Sequence, residues 1–141
     1  MNPTRKMTKK TSESVSCAIS LAPVPASRPR VGRFGTYYAK GYARWKKEAD
    51  KMLEHKKLPT TDQPLYVEVE QICRKPPTTK RSIPFGDIDN YVKGPLDAIT
   101  RADFGWVDDD QIVELHVVKR FAEPSEQPKS IVTWYEMNLN L

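Results

Sequence analysis

The fold is decided by "GDIDNYVKGPLDAI", residues 86–99, and by "WVDDDQIVE", residues 106–114, which begins after a gap of six residues. The first block has apolar residues at spacings of four and three, which predict one face of a helix: Ile88, Val92, Leu96 and Ile99. An aspartate at the start of such a pattern is a favourable helix N-cap. The second block leads into residues 111–121, an apolar stretch typical of a strand.

Further strands and a second helix extend this pair of elements in both directions. Alternating apolar residues predict strands in "VSCAISLA" (15–22), "LYVEVEQIC" (65–73) and "KSIVTWYEMNL" (129–139). Between the first two strands, apolar residues at alternating spacings of four and three predict an amphipathic helix from about residue 37 to residue 57. Its predicted apolar positions are Tyr38, Tyr42, Trp45, Ala49 and Met52. Residues 23–35 and 74–86 contain prolines and no apolar period, and they are predicted to be loops.

The resulting order, β-α-β-α-β-β, predicts an α+β fold with a mixed four-stranded sheet and two flanking helices. Strands joined by a helix are expected to be parallel, and the last two strands, joined by "AEPSEQP" (122–128), to form an antiparallel hairpin. The 141 residues fit a single domain, which we place at residues 14–141. Residues 1–13 lack periodicity and are predicted to be a disordered basic tail. We expect neither a transmembrane helix nor a secretory signal.

Charge is divided unevenly along the chain. Residues 1–81 contain 18 Lys and Arg against 7 Asp and Glu, whereas residues 82–141 contain 5 against 11, so the total of +5 combines +11 with −6. A basic part beside an acidic part suits a protein that attracts a polyanion and holds cations elsewhere. Cys17 and Cys73 lie in predicted strands without metal-binding spacing, so we expect buried free thiols in a reducing compartment.

The aspartates carry the chemical signal. Asp87 and Asp89 lie at a helix start and Asp108, Asp109 and Asp110 at a strand start, and we expect the two groups to meet at one edge of the sheet. Crowded carboxylates are the oxygen ligands of a hard divalent cation such as magnesium, with water and phosphate completing the coordination. The alternative is structural: an N-cap with a spare carboxylate, and a polar turn. An EF-hand is excluded, because its sixth and twelfth positions, counted from Asp87, are Val92 and Ala98.

The two blocks resemble the RusA family of Holliday junction resolvases, common in phages and prophages. "DIDNYVKGPLDAIT" matches a D-[LI]-D-N-x-x-K-x-x-x-D-A-[LI] pattern, and "WVDDDQIVE" matches W-[LV]-D-D-x-Q-[VI]-V. The spacing between the two blocks also fits that of the family. "PVPASRPRV" and "GTYY" look like the basic loop of phage members. The resemblance implies a homodimeric, magnesium-dependent endonuclease that nicks four-way DNA junctions symmetrically, with manganese as a possible substitute ion.

The resemblance also implies roles for single residues. Asp87, Asp89 and Asp109 would be the catalytic, metal-binding carboxylates, with Asp108 as a close alternate ligand. Lys93 takes the place of the family's essential lysine and follows Asp89 by four residues, one helical turn along the same face. Apart from the resemblance, Asn90 would either orient a metal ligand through a hydrogen bond or serve as a polar group at the helix N-terminus. "TRADFGW" departs from the Gly-containing turn that usually precedes the aspartate pair.

Basic and aromatic residues predict where DNA binds. Two loops supply cations for phosphates: Arg28, Arg30 and Arg33 in the first, and Arg74, Lys75, Lys80 and Arg81 in the second. Phe34, Tyr37 and Tyr38 add rings on which exposed bases can stack. A two-fold homodimer would present two active sites to a nearly two-fold junction, through the sheet or the last strand. We expect the protein in the bacterial cytoplasm, near the nucleoid.

Two other functions fit the same residues. A protein that binds branched DNA without cutting it would need the basic surfaces but not the aspartates. A nuclease for flaps or other branched structures would share the site, and would differ in not making paired symmetric nicks.

Overall fold

The computed structural model describes residues 8–10, 13–26, 30–32, 35–37 and 40–139, which contain two helices and nine strands. The helices are α1 (Lys40–Leu53) and α2 (Ile88–Ala102). The first five strands are β1 (Thr8–Lys10), β2 (Val15–Ile19), β3 (Arg30–Gly32), β4 (Gly35–Tyr37) and β5 (Thr60–Thr61). The others are β6 (Leu65–Cys73), β7 (Gly105–Trp106), β8 (Ile112–Phe121) and β9 (Lys129–Leu139), and a 3₁₀ turn at Asp109–Gln111 precedes β8.

The main sheet confirms the predicted α+β class and its mixed character. Its spatial order is β9 beside β6 beside β8, with β1 and β2 following one another along the outer side of β9. The β6–β8 pair is parallel, and β9 is antiparallel to β1, β2 and β6. The order β2-α1-β6-α2-β8-β9 is the predicted one.

The predicted hairpin of the last two strands is wrong. β9 pairs with β2 and β6, so β6 lies between β8 and β9. The side chains explain this placement, because β9 buries Val132 and Trp134 on one face and partly covers Ile131 and Tyr135 on the other. A strand that is apolar on both faces is suited to the middle of a sheet. The seven-residue connection is long enough to cross one strand.

Boundaries around the first helix also differ from the prediction. α1 begins at Lys40 and ends at Leu53, and Tyr37 belongs to β4, while Tyr38 lies outside the described residues. Leu53 is buried and Met52 is 40% exposed, the reverse of the predicted pattern at this end. Part of the predicted first loop is ordered as the antiparallel pair β3–β4. Of the predicted tail, residues 8–10 form β1, and residues 1–7 and 11–12 lie outside the described part.

Both helices cover one face of the main sheet and share a single apolar core with it. The core joins Ile19 of β2, Val67 of β6 and Trp134 of β9 to Trp45 of α1 and Ile99 of α2. The helices approach closely at Gly94, where an added Cβ would lie 3.0 Å from the Trp45 ring. The side chains of Cys17 and Cys73 are buried and unpaired, as predicted. No described helix has the length and apolar character needed to cross a membrane.

The β6–α2–β8 unit sets the positions of the candidate site. Because β6 and β8 are parallel in the register Leu65↔Ile112 to Cys73↔Phe121, both strands begin at one end of the sheet and finish at the other. α2 returns from the end where β6 finishes to the end where β8 begins. A helix of 15 residues covers about 22 Å. The start of α2 and the start of β8 therefore lie at opposite ends of this unit.

Candidate active site

The backbone just before α2 is fixed by two side chains from other elements. Lys119 of β8 donates hydrogen bonds from Nζ to the carbonyl oxygens of Pro84, at 2.8 Å, and Gly86. The hydroxyl of Tyr91 donates to the carbonyl oxygen of Phe85 at 2.6 Å. Gly86 has φ +109°, and a Cβ there would meet the Tyr91 ring at 3.1 Å, so this position requires glycine. These contacts fix where the chain enters Asp87.

Asp87 and Asp89 extend from this fixed backbone into solvent. Asp87 is the N-cap residue of α2, with extended φ and ψ, but its side chain makes no capping hydrogen bond. Asp89 lies in the first helical turn, and both side chains are exposed. The helix N-terminus carries a partial positive charge that offsets part of the repulsion between the two carboxylates. Asn90 contributes its backbone, since its carbonyl accepts a hydrogen bond from the Ala26 amide at 2.7 Å.

The exposed side of α2 carries a row of alternating charges. Asp89, Lys93, Asp97 and Arg101 follow one another at spacings of four, so each charge faces an opposite one a turn away. Lys93 is exposed, whereas Asp97 is half-buried. Arg101 also forms a salt bridge with Asp50 of α1, with 2.9 Å between Nη2 and Oδ1. The exposed side of α2 therefore carries charges of both signs along its length.

At the far end of α2, the Asp109 carboxylate is held by two side chains. The Thr100 hydroxyl donates to Asp109 Oδ1 at 2.5 Å, and Trp106 Nε1 donates to the same oxygen at 3.0 Å. Trp106 Nε1 also lies 2.9 Å from Thr100 Oγ1, and that hydroxyl oxygen lies 3.0 Å from the carbonyl oxygen of Leu96 as well. Trp106 is 1% exposed and packs edge-on against Trp134, with ring centroids 5.3 Å apart. One oxygen of the Asp109 carboxylate is thus held in place by two side-chain donors.

The side chain of Asp108 stabilises the 3₁₀ turn that precedes β8. Its Oδ1 accepts a hydrogen bond from the Asp110 amide at 3.0 Å, and Gln111 Oε1 accepts from the Asp108 amide at 2.9 Å, which together form a capping box. Gln111 Nε2 donates in turn to the carbonyl oxygens of Thr61 and Gln63, both at 2.9 Å. The Asp108 carboxylate therefore has the role of a polar residue that stabilises the turn, whereas the Asp109 carboxylate faces α2.

Asp97 joins Asp109 at this end. Burial, followed by the negative charge of Asp109, raises the pKa of the Asp97 carboxyl above its usual value, while Lys93 and Arg101 act in the opposite direction. Two carboxylates therefore lie near one another at the end of α2.

The expectation that both aspartate groups meet at one sheet edge is wrong within one chain. Asp109 contacts Thr100, which follows Asp89 by 11 residues, or about 16 Å along the helix axis. Ligands of one magnesium ion each lie about 2 Å from it, and paired ions are about 4 Å apart. Accordingly, no three His, Cys, Asp or Glu side chains among the described residues could hold a metal ion together. The carboxylate oxygens are of the type that binds such an ion, but within one chain the two aspartate groups lie too far apart to bind it together.

Sequence comparison assigns the family. The family model described as Endodeoxyribonuclease RusA matches residues 20–132. The chain belongs to the RusA family. RusA proteins are Holliday junction endonucleases, so the chain is a hydrolytic endodeoxyribonuclease. Enzymes of this family generally need divalent metal ions. No curated protein matches the sequence.

The predicted DNA-binding residues of this RusA chain fall into two groups. Arg74, Lys75, Lys80 and Arg81 are exposed on the loop that leads from β6 to Asp87. The Arg81 guanidinium lies 5.4 Å from the centroid of the Phe85 ring, and Phe85 is 76% exposed. Arg30 begins β3, while Arg28, Arg33 and Phe34 lie outside the described residues. The second loop therefore places its cations at the same end of the molecule as Asp87 and Asp89.

Sequence reasoning missed four residues of the site. Thr100 and Trp106 hold Asp109, Lys119 fixes the backbone before Asp87, and Asp97 lies near Asp109. Asp97 had a signal, since it continues the spacing of four from Asp89 and Lys93. Trp106 stands inside the quoted second block. Thr100 and Lys119 had none, because their partners are distant in sequence or depend on the fold.

Proposed function

We propose that the chain is a Mg²⁺-dependent endonuclease that acts as a homodimer and resolves four-way DNA junctions by paired symmetric nicks. Mn²⁺ would substitute for Mg²⁺. The observation that carries this proposal is the Asp109 carboxylate, oriented by Thr100 and Trp106 in a chain of the RusA family. Two side-chain donors converge on one oxygen of this carboxylate and so fix its orientation in the turn. We place the protein in the bacterial cytoplasm, where branched DNA forms.

The proposed roles follow from position and chemistry. Asp87, Asp89 and Asp109 supply oxygen ligands, and Asp108 keeps the turn that presents Asp109 in its conformation. A bound divalent ion would activate water and stabilise the charge that develops on the phosphate. Lys93 lies one turn from Asp89 and is exposed, so its ammonium group can either pair with that carboxylate or contact a phosphate oxygen. Asn90 holds the loop at Ala26 through its backbone.

The basic loop between β6 and α2 is the proposed main binding site for DNA. Its four cations precede the aspartates, so phosphates that they bind lie close to the cut strand: Arg74, Lys75, Lys80 and Arg81. The proposed second contact is the predicted first loop, with Arg28, Arg30 and Arg33. Each cation that neutralises a phosphate makes the slope of log affinity against log salt about 0.9 more negative. Binding should therefore weaken steeply as salt increases.

The test is cleavage of a labelled four-way junction beside linear duplex and flap substrates of the same sequence. Native protein with Mg²⁺ is expected to make paired nicks at symmetric positions in opposing strands, which a ligase reseals. Asp89→Asn is expected to bind the junction and leave it uncut. Cutting of the flap alone would replace the proposal with a flap nuclease. Tight binding without cutting by native protein would leave a DNA-binding protein whose aspartates are structural.

A further inference from the structure

The segment between the basic loop and α2 exposes one aromatic ring. Phe85 is 76% exposed, which makes it the most exposed of the large apolar side chains in the described part of the chain. The residue before it, Pro84, is fully buried. A single exposed apolar side chain is ordinary on a protein surface, so the surroundings of this ring have to decide its role.

The backbone that carries the ring is fixed on both sides of Phe85. The carbonyl oxygen of Phe85 accepts a hydrogen bond from the Tyr91 hydroxyl at 2.6 Å. Lys119 Nζ donates to the carbonyl oxygens of Pro84, at 2.8 Å, and Gly86. Three consecutive carbonyl groups are therefore bound by side chains of α2 and β8. A ring on such a backbone loses little conformational freedom when a ligand covers it, so the position is already prepared for binding.

A guanidinium group lies beside the ring and is itself held in place. Arg81 Cζ is 5.4 Å from the centroid of the Phe85 ring, within the range of a cation–π contact. Arg81 Nε donates to the carbonyl oxygen of Ile83 at 3.2 Å, and the Arg81 amide donates to Thr79 Oγ1 at 3.2 Å. Aromatic rings beside cations are the surface that binds exposed bases, since the ring stacks on the base and the cation attracts the phosphate.

The ring is close to the proposed cutting site. Phe85 precedes Asp87 by two residues, so their Cα atoms are at most about 7 Å apart. A base on this ring would belong to a nucleotide near the phosphate that Asp87 and Asp89 contact. In uninterrupted duplex, neighbouring base pairs cover both faces of every base. At the branch point of an open four-way junction, each flanking base pair has lost one neighbour and exposes one face on which a ring can stack.

We infer that Phe85 stacks on the exposed face of a base at the branch point, and that this contact makes the protein prefer junctions to uninterrupted duplex. Arg81 supports one side of the ring and binds the adjacent phosphate. The inference rests on the proposed function for its substrate and adds to it a residue that selects that substrate. Stacking of one base on an aromatic side chain increases affinity by about five- to 150-fold.

Binding of a four-way junction and of a linear duplex of the same sequence tests the selectivity. All proteins carry Asp89→Asn so that the DNA stays uncut. Phe85→Leu keeps an apolar side chain without an aromatic face, and it is expected to lower affinity for the junction about five-fold or more without changing affinity for the duplex. Phe85→Trp should retain both affinities. Ile83→Ala, at a 54% exposed position on the same segment, is the matched control and should retain both as well. An equal loss for both DNAs, or no loss, would overturn the inference.

Photocrosslinking identifies the stacked base directly. A junction carries 5-iodo-2′-deoxyuridine in place of thymidine, either at the branch point or in the middle of one arm, because light couples this base to an aromatic ring stacked on it. Mass spectrometry of the crosslinked peptide is expected to find Phe85 for the branch-point label and no Phe85 adduct for the arm label. Crosslinks from the branch point to other residues alone would contradict the stacking role.

These readouts separate the inference from the proposed function and from a contact between copies of the chain. If native protein binds the junction without cutting it, the proposed nuclease fails, and the affinities and crosslinks still decide whether Phe85 stacks on a base. Sedimentation equilibrium without DNA is expected to find the same oligomeric state for Phe85→Leu and native protein, with unchanged circular dichroism. A changed oligomeric state with unchanged selectivity would assign the ring to an interface between copies and overturn the inference.

Discussion

The two ends of α2 present their carboxylates in different ways. At the end of the helix, Asp109 receives hydrogen bonds from Thr100 and Trp106, and the turn around it is closed by the capping box of Asp108 and Gln111. At the start of the helix, the Asp87 side chain makes no capping hydrogen bond. Here the backbone before Asp87 is fixed instead, by hydrogen bonds from Lys119 and Tyr91.

The comparison shows two ways of preparing a carboxylate for a ligand. Side-chain donors fix one oxygen atom of Asp109 directly, which places this carboxylate accurately but restricts its rotation. A fixed backbone behind free side chains leaves Asp87 and Asp89 able to rotate toward an ion when it binds.

The largest effect is expected when a carboxylate is removed at either end. Asp89→Asn and Asp109→Asn should each lower junction nicking by more than about a hundred-fold, the upper range for loss of a group that only orients a ligand. The amides keep the shape but bind a divalent cation weakly. Single-turnover cleavage at saturating Mg²⁺ measures the loss, and gel-shift binding of the junction is the control. Near-native cutting by one of the two would remove that end of α2 from the chemistry.

A smaller effect is expected for the donor that fixes Asp109. Thr100→Val keeps the side-chain shape and removes the hydroxyl, so we expect nicking to fall about ten- to a hundred-fold and the Mg²⁺ requirement to rise. Thr100→Ser restores the hydroxyl and should recover most of the activity. A role confined to stability would lower the melting temperature without changing the Mg²⁺ dependence, and that result would contradict the positioning role.

Capping should distinguish the two ends in stability. Asp108→Ala loses the hydrogen bond to the Asp110 amide and should cost about 1 kcal/mol of unfolding free energy. Asp87→Ala loses no side-chain hydrogen bond and only a favourable interaction with the helix dipole, so about 0.5 kcal/mol is expected. Urea unfolding at one fixed protein concentration measures both values. Equal costs would show that the two caps do the same structural work.

The smallest effect concerns the loop after β8, at the same end as Asp87. Two hydrogen bonds from the Arg120 guanidinium, at 2.6 and 2.7 Å, and one from the Glu123 amide lower the pKa of Glu126 from 4.5 to about 2. Because the pKa is lowered in the folded state, this contribution to stability is present above pH 4.5 and is lost as the pH falls toward 2. NMR titration measures the pKa, which Arg120→Gln should return toward 4.5.

The sequence alone determined the class of fold and the family. Strands β6 and β9 begin and end where alternation predicted, and the stripe of α2 correctly indicated a helix that begins beside Asp87. These features are local, since each depends on which side of one element faces the core. The two aspartate blocks indicated the RusA family without a structure, because a motif is recognised from its residue types and their spacing along the chain.

Only the tertiary structure decided the strand order and the distance between the aspartates. The insertion of β9 between β2 and β6 depends on long-range pairing, which the length of a seven-residue connection does not specify. The separation of Asp89 from Asp109 follows from a helix that runs back along two parallel strands, so neighbours in the motif lie at opposite ends of the unit. The contacts of Thr100, Trp106 and Lys119 follow from packing, because hydrogen-bond partners meet only after the elements that carry them are placed.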